Sequence, residues 1–408
     1  MNILLINHYA GSKYHGMEYR PYYLAREWVK LGHNVTIIAA SYSHVRNVQP
    51  KIDQNWTAEI VDGIRYVWIN TPSYEGNGLG RIKNMVTFVK SIYRYKTKIL
   101  QEINPNVVIA SSTYPLDIYP AKAIAKASKA KLIYEVHDLW PLSPKELGGM
   151  SRYHPFIMVM QQAENFAYKH CDLVVSLLPK AKGHMVEHGL DPVKFYYIPN
   201  GIDIDEWNSP LNKIPKEMSA FINEMKEKGQ FLIGYAGAHG VANSLEILIE
   251  SVNLLKVNPI SLIMVGKGPE KINLKGLAKK YNLENIHFFE EIPKNTIPDF
   301  LSKMDVLYIG LQRQPLYRFG VSPNKLFDYM MSQKPVLHSI EAGNDLVAES
   351  KSGVSVEPEN PQAIADGILK LMKLTEEERK QMGQNGYEYI ISKHDYKKLA
   401  EHFISIMK

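Results

Sequence analysis

The fold class is decided by residues 1–40, MNILLINHYAGSKYHGMEYRPYYLAREWVKLGHNVTIIAA. The apolar run 2–7 is typical of a strand that is buried on both faces of a parallel sheet. A helix is predicted from about Glu18 to Leu31, and Gly32 ends it because glycine readily adopts the left-handed cap. A second apolar run, Val35–Ala40, follows at once. Strand, helix and strand in this order predict a doubly wound α/β domain.

The same alternation returns in the second half of the chain. Pro199-Asn200-Gly201 is a strong turn signal, and strands are predicted after it at 231–236, 261–265, 286–289 and 306–310. The sequence therefore predicts two doubly wound, Rossmann-like α/β domains, 1–200 and 201–387, which face a central cleft. The C-terminal helix, about 388–408, is expected to pack back on the first domain. Ligands of such sheets bind at the carboxyl ends of the strands, so both domains should aim loops into the cleft.

Composition excludes several classes of protein. The 408 residues are 45% hydrophobic and contain no run of about 18 apolar residues, so no membrane-spanning helix is predicted. The start is too short and strand-like for a signal peptide. One cysteine, Cys171, excludes an internal disulfide framework and a cysteine-based zinc site. We expect a cytoplasmic protein without a nucleic-acid partner, and the net charge of +6 fits anionic substrates or a membrane surface.

Glycine-rich loops follow two predicted strands of the second domain. Gly237 lies in GYAGAHG, and Gly266 and Gly268 lie in VGKGPEK with Lys271. Glycines let a backbone approach a ligand closely, and the amides of the next helix favour an anion, although tight packing alone also explains them. Gly16 is the corresponding candidate from the first domain. Neither G-x-G-x-x-G nor a P-loop motif occurs, which argues against a nicotinamide oxidoreductase and a P-loop NTPase.

Residues 317–337, YRFGVSPNKLFDYMMSQKPVL, read as a loop, a short helix and a strand. Lys325 and the amides of the helix start can bind phosphate, and Asp328 can accept hydrogen bonds from two neighbouring hydroxyls. A phosphorylated ligand with hydroxyls therefore suits this stretch. An ordinary surface helix is the alternative.

Three further stretches carry polar residues with more than one interpretation. His137 ends a strand in EVHDLW, where it either contacts a ligand or is a hydrogen-bonded structural residue. Asp203-Ile204-Asp205 has the D-x-D form of some metal sites, but we interpret it as structural, and no metal site is predicted. The helix predicted at 85–100 mixes basic and apolar residues. It either lies on an anionic bilayer or packs its apolar stripe on its own domain.

With both domains considered, nearly the whole chain resembles the retaining GT-B glycosyltransferases of family 4, the glycosyl transferases group 1. This family builds bacterial capsule, O-antigen and exopolysaccharide. The resemblance is carried by four motifs: GMEYRPYYLAREWVKLGHNVTIIA (16–39), IPNGID (198–203), VGKGPEK (265–271) and SPNKLFDYMMSQKPVL (322–337). EVHDLWPLSPKELG (135–148) is similar to a subgroup close to N-acetyl-fucosamine transferases.

The resemblance implies transfer of a sugar from a nucleoside-diphosphate sugar, with a UDP-sugar as the expected donor, to a glycan or polyprenyl-linked acceptor. The first domain would serve the acceptor and the second would bind the donor. No cofactor or metal is expected, and peripheral contact with the inner face of the cell membrane is one of the two interpretations of the basic helix. His137 is implied to lie near the transferred sugar, while Lys271 and Lys325 would be the cations for the diphosphate.

The other donor contacts are implied by position in the family motifs. Asp328 stands where the family has the second Glu of Glu-x7-Glu, which holds the ribose. The first Glu would fall at Gly320, so backbone amides from Phe319 to Ser322, including those of Gly320 and Val321, are expected to replace it. Ile292 matches the loop that packs on the nucleobase. Because the first Glu and the usual arginine are missing, a nucleotide-sugar-binding subunit with weakened catalysis is one alternative, and a GT-B-like UDP-sugar epimerase is another.

Overall fold

The computed structural model describes residues 1–16, 18–76, 78–209 and 212–408, which form two compact units. The first unit combines Met1–Asn200 with Tyr396–Lys408, and the second unit is Gly201–Asp395. The division falls inside the Pro-Asn-Gly turn. The sequence placed the return to the first unit at about residue 388, whereas the structure places it at Tyr396.

The first unit contains a sheet of eight strands among the residues that the structure describes. They are β1 (Asn2–Ile6), β2 (Asn34–Ala40), β3 (Trp56–Val61), β4 (Ile64–Ile69), β5 (Val107–Ala110), β6 (Lys131–Val136), β7 (Leu173–Ser176) and β8 (Phe195–Tyr197). Their spatial order is β3-β4-β2-β1-β5-β6-β7-β8, and only the β3–β4 pair is antiparallel. Residues Ile3–Ile6 of β1 are fully buried, as expected for a strand between two helical layers.

The helices of the first unit lie between these strands. They are α1 (Tyr19–Lys30), α2 (Leu79–Arg94), α3 (Lys96–Glu102), α4 (Ile118–Ser128), α5 (Leu142–Glu146), α6 (Pro155–His170) and α7 (Lys182–Glu187). The predicted helix 18–31 is confirmed as α1, and Gly32 follows it with a φ of +82°. Glycine pays no Cβ penalty in this left-handed conformation, which is why the helix ends there.

The second unit contains a parallel sheet of six described strands. They are β9 (Phe231–Ala236), β10 (Ile260–Val265), β11 (Ile286–Phe289), β12 (Val306–Gly310), β13 (Val336–Ser339) and β14 (Gly353–Ser355), in the spatial order β11-β10-β9-β12-β13-β14. Since β10, β9 and β12 are neighbours, the loops after their carboxyl ends start side by side. Two Rossmann-like sheets, parallel except for the β3–β4 pair, confirm the predicted α/β fold of both domains.

The second unit has nine helices among its described residues. They are α8 (Ile204–Trp207), α9 (Lys216–Glu227), α10 (Leu245–Leu254), α11 (Lys271–Lys280), α12 (Ile297–Ser302), α13 (Asn324–Met331), α14 (Leu346–Ser350), α15 (Pro361–Lys373) and α16 (Glu376–Lys393). Asp203 caps α8 by accepting a hydrogen bond from the Glu206 amide at 2.7 Å. This contact confirms the structural interpretation of the D-x-D sequence.

The last helix, α17 (Tyr396–Met407), belongs to the core of the first unit. It packs against α1, where the Trp28 and Phe403 rings lie 5.2 Å apart and Tyr23 stacks on Tyr396 at 4.9 Å. The aromatic residues Tyr23 and Trp28 of α1 therefore pack against the far end of the chain.

The basic and apolar region 85–100 differs from the single predicted helix. The structure divides it between α2 and α3, and the apolar residues Met85, Phe88 and Ile92 are buried within the first unit. The apolar stripe thus packs on its own domain. Across the described residues, none of the helices has the length and hydropathy needed to cross a bilayer.

Candidate functional site

The two glycine loops of the second unit pack directly on each other. A β-carbon on Gly266 would lie 2.0 Å from the carbonyl oxygen of Gly237, and one on Gly268 would lie 2.2 Å from that of His239. Because atoms cannot approach this closely, larger residues would push the loops apart. The glycines are therefore required for packing, and the two loops form one continuous backbone surface at the carboxyl ends of β9 and β10.

Lys271, at the start of α11, ties these loops together. Its Nζ donates to the carbonyl oxygens of Gly266 and Phe289, both at 2.8 Å, and lies 2.9 Å from Glu290 Oε1. An ammonium group has three hydrogens, so all of them are used. Lys271 was predicted to bind the diphosphate. In this structure its buried ammonium group instead links the two loops, and a ligand could accept a hydrogen bond from it only by taking the place of the exposed Glu290.

Lys325 lies at the start of α13, beside the first glycine loop. Its Nζ donates to Tyr235 Oη at 3.0 Å and to Asn243 Oδ1 at 2.6 Å, and a β-carbon on Gly237 would lie 3.3 Å from it. Burial lowers the pKa of Lys325 to about 8. No carboxylate of the described residues forms an ion pair with this ammonium group. A half-buried cation next to a glycine loop is suited to an anionic ligand.

Asp328 follows Lys325 by one helical turn and lies on the same side of α13. Burial raises the pKa of its carboxyl group to about 6, although Lys294 opposes this shift. No side chain among the described residues donates a hydrogen bond to the carboxylate. Its acceptor oxygens are thus available for hydroxyl groups.

In the loop before α13, two backbone amides make hydrogen bonds that differ from the predicted contacts. The Gly320 amide donates to the carbonyl oxygen of Tyr317 at 2.9 Å, and the Val321 amide donates to Asn344 Oδ1 at 2.8 Å. These two amides were predicted to contact the donor sugar, but each already has an acceptor within the protein. Ser322 lies two residues before Asn324, the first residue of α13. Ile292 packs on the core of the second unit in the loop after β11.

Two predicted residues belong to the first unit. Gly16 has a φ of +83° and closes a turn, in which its amide donates to the Ser12 carbonyl oxygen at 3.0 Å. His137 follows β6. Its Nε2 lies 3.2 Å from Glu135 Oε2, and its Nδ1 lies 3.5 Å from Glu18 Oε2. Both nitrogens of this ring therefore face carboxylates.

The charges around His137 are buried and alternate in sign. Burial alone would lower the pKa of His137, but hydrogen bonds and charges from Glu135 and Glu18 raise it to about 10. Burial would raise the pKa of Glu135, but Arg20, His137 and Ser111 lower it to about 2. Arg20 Nε donates to Glu135 Oε1 at 3.0 Å. At neutral pH the ring is therefore an imidazolium ion and a hydrogen-bond donor.

Sequence reasoning missed His239, in the first glycine loop. Its side chain is buried, and neither ring nitrogen has a hydrogen-bond partner among the described residues. Burial, with a contribution from nearby Lys271, lowers the pKa of His239 to about 4, so the ring is neutral. The sequence did offer one signal for this residue, since His239 lies between Gly237 and Gly240, directly after a predicted strand.

The alternating charges predict a pH dependence of stability. The pKa of His137 is about 6.5 in the unfolded chain and about 10 in the folded protein. Its contribution to the stability of the fold is therefore complete below pH 6.5 and is lost as the pH rises through 10. Glu135 acts in the opposite range: its contribution is present above pH 4.5 and is lost as the pH falls towards 2.

Urea denaturation at about pH 6 and about pH 9 measures this effect. We expect the wild type to lose more stability between the two pH values than His137→Gln does. Equal losses in the two proteins would contradict the proposed charge state.

Comparison with known proteins places both units in one enzyme class. The model of Glycosyltransferase Family 4 matches residues 14–206, and the model of Glycosyl transferases group 1 matches residues 219–389. A Pseudomonas aeruginosa protein named "Probable glycosyltransferase WbjE" is 24% identical over 73% of this chain and 75% of its own length. "Putative colanic acid biosynthesis glycosyl transferase WcaI" of Escherichia coli K12 is 22% identical over 85% of this chain and 86% of its own length.

A solved structure shows the same fold. HepE from Anabaena, in complex with UDP and glucose, has a TM-score of 0.66 and is 16% identical over 100% of this chain and 99% of its own. The two family models together match most of the chain, one in each unit, and the parallel sheets match GT-B structures. The chain is therefore a glycosyltransferase with the GT-B fold, and its two units match the models of Glycosyltransferase Family 4 and of the glycosyl transferases group 1, respectively.

Proposed function

We propose that this enzyme moves a sugar from a UDP-sugar, with retention at the anomeric carbon, to a glycan or polyprenyl-linked acceptor in bacterial surface-polysaccharide synthesis. The observation that carries the proposal is Lys325. It is a half-buried cation at a helix start, beside two packed glycine loops, and no carboxylate in the described part of the chain pairs with it. The relative named for colanic acid biosynthesis and the UDP complex of HepE support the substrate classes.

The chemistry that suits these residues is departure of a nucleoside diphosphate. The bond between the anomeric carbon and the phosphate oxygen breaks, and negative charge develops on that oxygen. Lys325 and the first amides of α13 would stabilise this charge in the transition state. An acceptor hydroxyl would attack from the same face, and its proton would pass to the leaving phosphate. These steps use no metal ion.

Asp328 is proposed to hold the two ribose hydroxyls of the donor. A carboxylate accepts from two hydroxyls, whereas a protonated carboxyl group offers fewer acceptors. Because burial raises the pKa of Asp328 to about 6, nucleotide binding should weaken as the pH falls below that value. His137 is proposed, from the family motif, to lie near the transferred sugar and to act there through its positive charge, since its two N–H groups face Glu135 and Glu18.

The polyprenyl acceptor would bring the enzyme to the inner face of the cell membrane. Lys83, Lys90 and Arg94 are exposed on α2, and Tyr93 beside them is 46% exposed. Basic side chains with an exposed aromatic ring suit peripheral contact with anionic lipid. Flotation with anionic vesicles tests this part of the proposal, and absence of binding would contradict it.

The proposal is tested by titrating UDP into the wild type and into Asp328→Asn. We expect the variant to bind UDP about tenfold more weakly, which corresponds to about 1.4 kcal/mol and to the loss of hydrogen bonds to a charged acceptor. Asp366→Asn on α15 is the matched control, because Asp366 is exposed and lies outside the site. Equal affinities of the two variants would contradict the ribose contact.

Product analysis then separates the transferase from its alternatives. With a UDP-sugar panel, a transferase releases UDP at a substantial rate only when an acceptor is present, and NMR of the product should show the anomeric configuration of the donor. An epimerase would produce free sugar without acceptor. A binding subunit would bind UDP-sugar but show no turnover with any acceptor.

A further inference from the structure

A second cluster of polar side chains lies in the first unit, apart from every residue discussed above. Glu164 lies on α6, His184 lies on α7, and His188 follows the last residue of α7. Each offers one ligand atom, and these three atoms lie within 4.8 Å of one another. The sequence did not reveal this cluster, because Glu164 is distant from the two histidines along the chain.

The two histidines are presented on one face of a helical turn. They are four residues apart, and their ring centroids lie 4.2 Å from each other. His188 Nδ1 lies 2.8 Å from the carbonyl oxygen of His184. A carbonyl only accepts, so Nδ1 must carry the hydrogen, and the lone pair of His188 is on Nε2. Such a second contact is how proteins fix the tautomer of a metal-binding histidine.

Glu164 is a buried carboxylate that is held in a fixed position. Its side chain is 1% exposed and accepts hydrogen bonds from Tyr168 Oη at 2.9 Å and Gln161 Nε2 at 2.7 Å. Within the described part of the chain, its only ion-pair contact is with His184 Nε2, at 3.7 Å. A histidine ring is positively charged mainly at acidic pH. A buried carboxylate, by contrast, costs free energy at every pH at which it is ionised. A bound cation would compensate this charge.

We propose that Glu164, His184 and His188 form a binding site for one transition-metal ion of the Zn²⁺ class, with water completing the coordination. Two imidazoles and one carboxylate suit Zn²⁺, whereas Mg²⁺ and Ca²⁺ prefer oxygen ligands alone. Tetrahedral Zn²⁺ with bonds of about 2.1 Å places its ligand atoms about 3.4 Å apart. Small rotations of the partly exposed histidine rings would bring the ligands to that distance.

The ion would join α7 to α6, and its role would be to stabilise this part of the first unit. Neither the diphosphate chemistry nor Lys325 takes part. The site is therefore independent of the proposed donor and acceptor, and its test does not depend on glycosyl transfer.

Calorimetric titration of the chelator-treated protein with ZnCl₂ tests the site, with Co²⁺ absorption in the visible range as a second probe. We expect one Zn²⁺ per chain, a rise in Tm on binding, and no comparable binding of Mg²⁺. His184→Gln and His188→Gln should each bind Zn²⁺ at least tenfold more weakly. His402→Gln is the control, because His402 is exposed on α17.

Circular dichroism establishes that the variants are folded before they are titrated, and Glu164→Gln provides a third variant, in which an amide oxygen remains to accept from Tyr168. The proposal is overturned if the folded wild type does not bind Zn²⁺ with one-to-one stoichiometry. It is equally overturned if the two histidine variants bind Zn²⁺ as tightly as the control.

Discussion

Arg20→Met is expected to lower the free energy of unfolding by about 3–5 kcal/mol, the usual cost of removing one partner from a buried ion pair. The side chains of Arg20 and Glu135 are 4% and 0% exposed. Arg20 also donates to the carbonyl oxygens of Ile198, at 3.0 Å, and Pro199. The substitution would leave a buried carboxylate with less positive charge near it and two carbonyl groups with one donor fewer.

Urea denaturation at about pH 7 measures this loss. Lys13→Met is the matched control, because Lys13 and Asp62 form a partly exposed ion pair at 3.2 Å, for which we expect less than about 1 kcal/mol. Adding Glu135→Gln to Arg20→Met should restore part of the stability, since it removes the buried negative charge that has lost its arginine partner. A loss no larger than that of the control would contradict the assigned role of the buried pair.

Lys325→Ala is expected to lower turnover at least tenfold, which corresponds to about 1.4 kcal/mol of transition-state stabilisation. The lysine contributes most when the phosphate oxygen gains charge, so kcat should fall more than the affinity for UDP changes. Initial rates at saturating donor and acceptor measure the effect, and Lys370→Ala, on the exposed side of α15, is the control. An unchanged rate would remove Lys325 from the mechanism.

The charge of Lys325 gives this prediction a pH signature. Burial lowers its pKa to about 8, so in the free enzyme the ammonium form decreases as the pH rises through that value. The kcat/KM of the wild type should therefore decline on the alkaline side, since kcat/KM reports groups of the free enzyme. The residual activity of Lys325→Ala should lack this decline. If both proteins declined alike, another group would be responsible.

Much of the fold could be predicted from the sequence because its signals are local. The buried strands β1 and β9 are continuous apolar runs, and Gly32 and the Pro-Asn-Gly turn mark an end and a boundary. The helix predicted at 85–100 was wrong in extent, since Tyr95 separates α2 from α3. Periodicity alone does not locate such a break when both sides have helical spacing.

The candidate site could be predicted in its positions but not in its contacts. Lys325 and Asp328 are one turn apart on a helix, so their proximity follows from the sequence. Lys271 links the two loops by donating to the carbonyl oxygen of Phe289, and the Val321 amide donates to Asn344 Oδ1. Neither acceptor is close to its donor in the sequence. The buried His239 also needed the structure, because burial in a loop depends on which loops pack together.

The position of α17 has a consequence for biosynthesis. The core of the first unit includes Phe403 and Tyr396, which are translated only after the whole of the second unit. The second unit is continuous in the chain and can complete its own core first. The amino-terminal unit is therefore translated first but completed last, with the α1 surface around Trp28 left uncovered on the nascent chain.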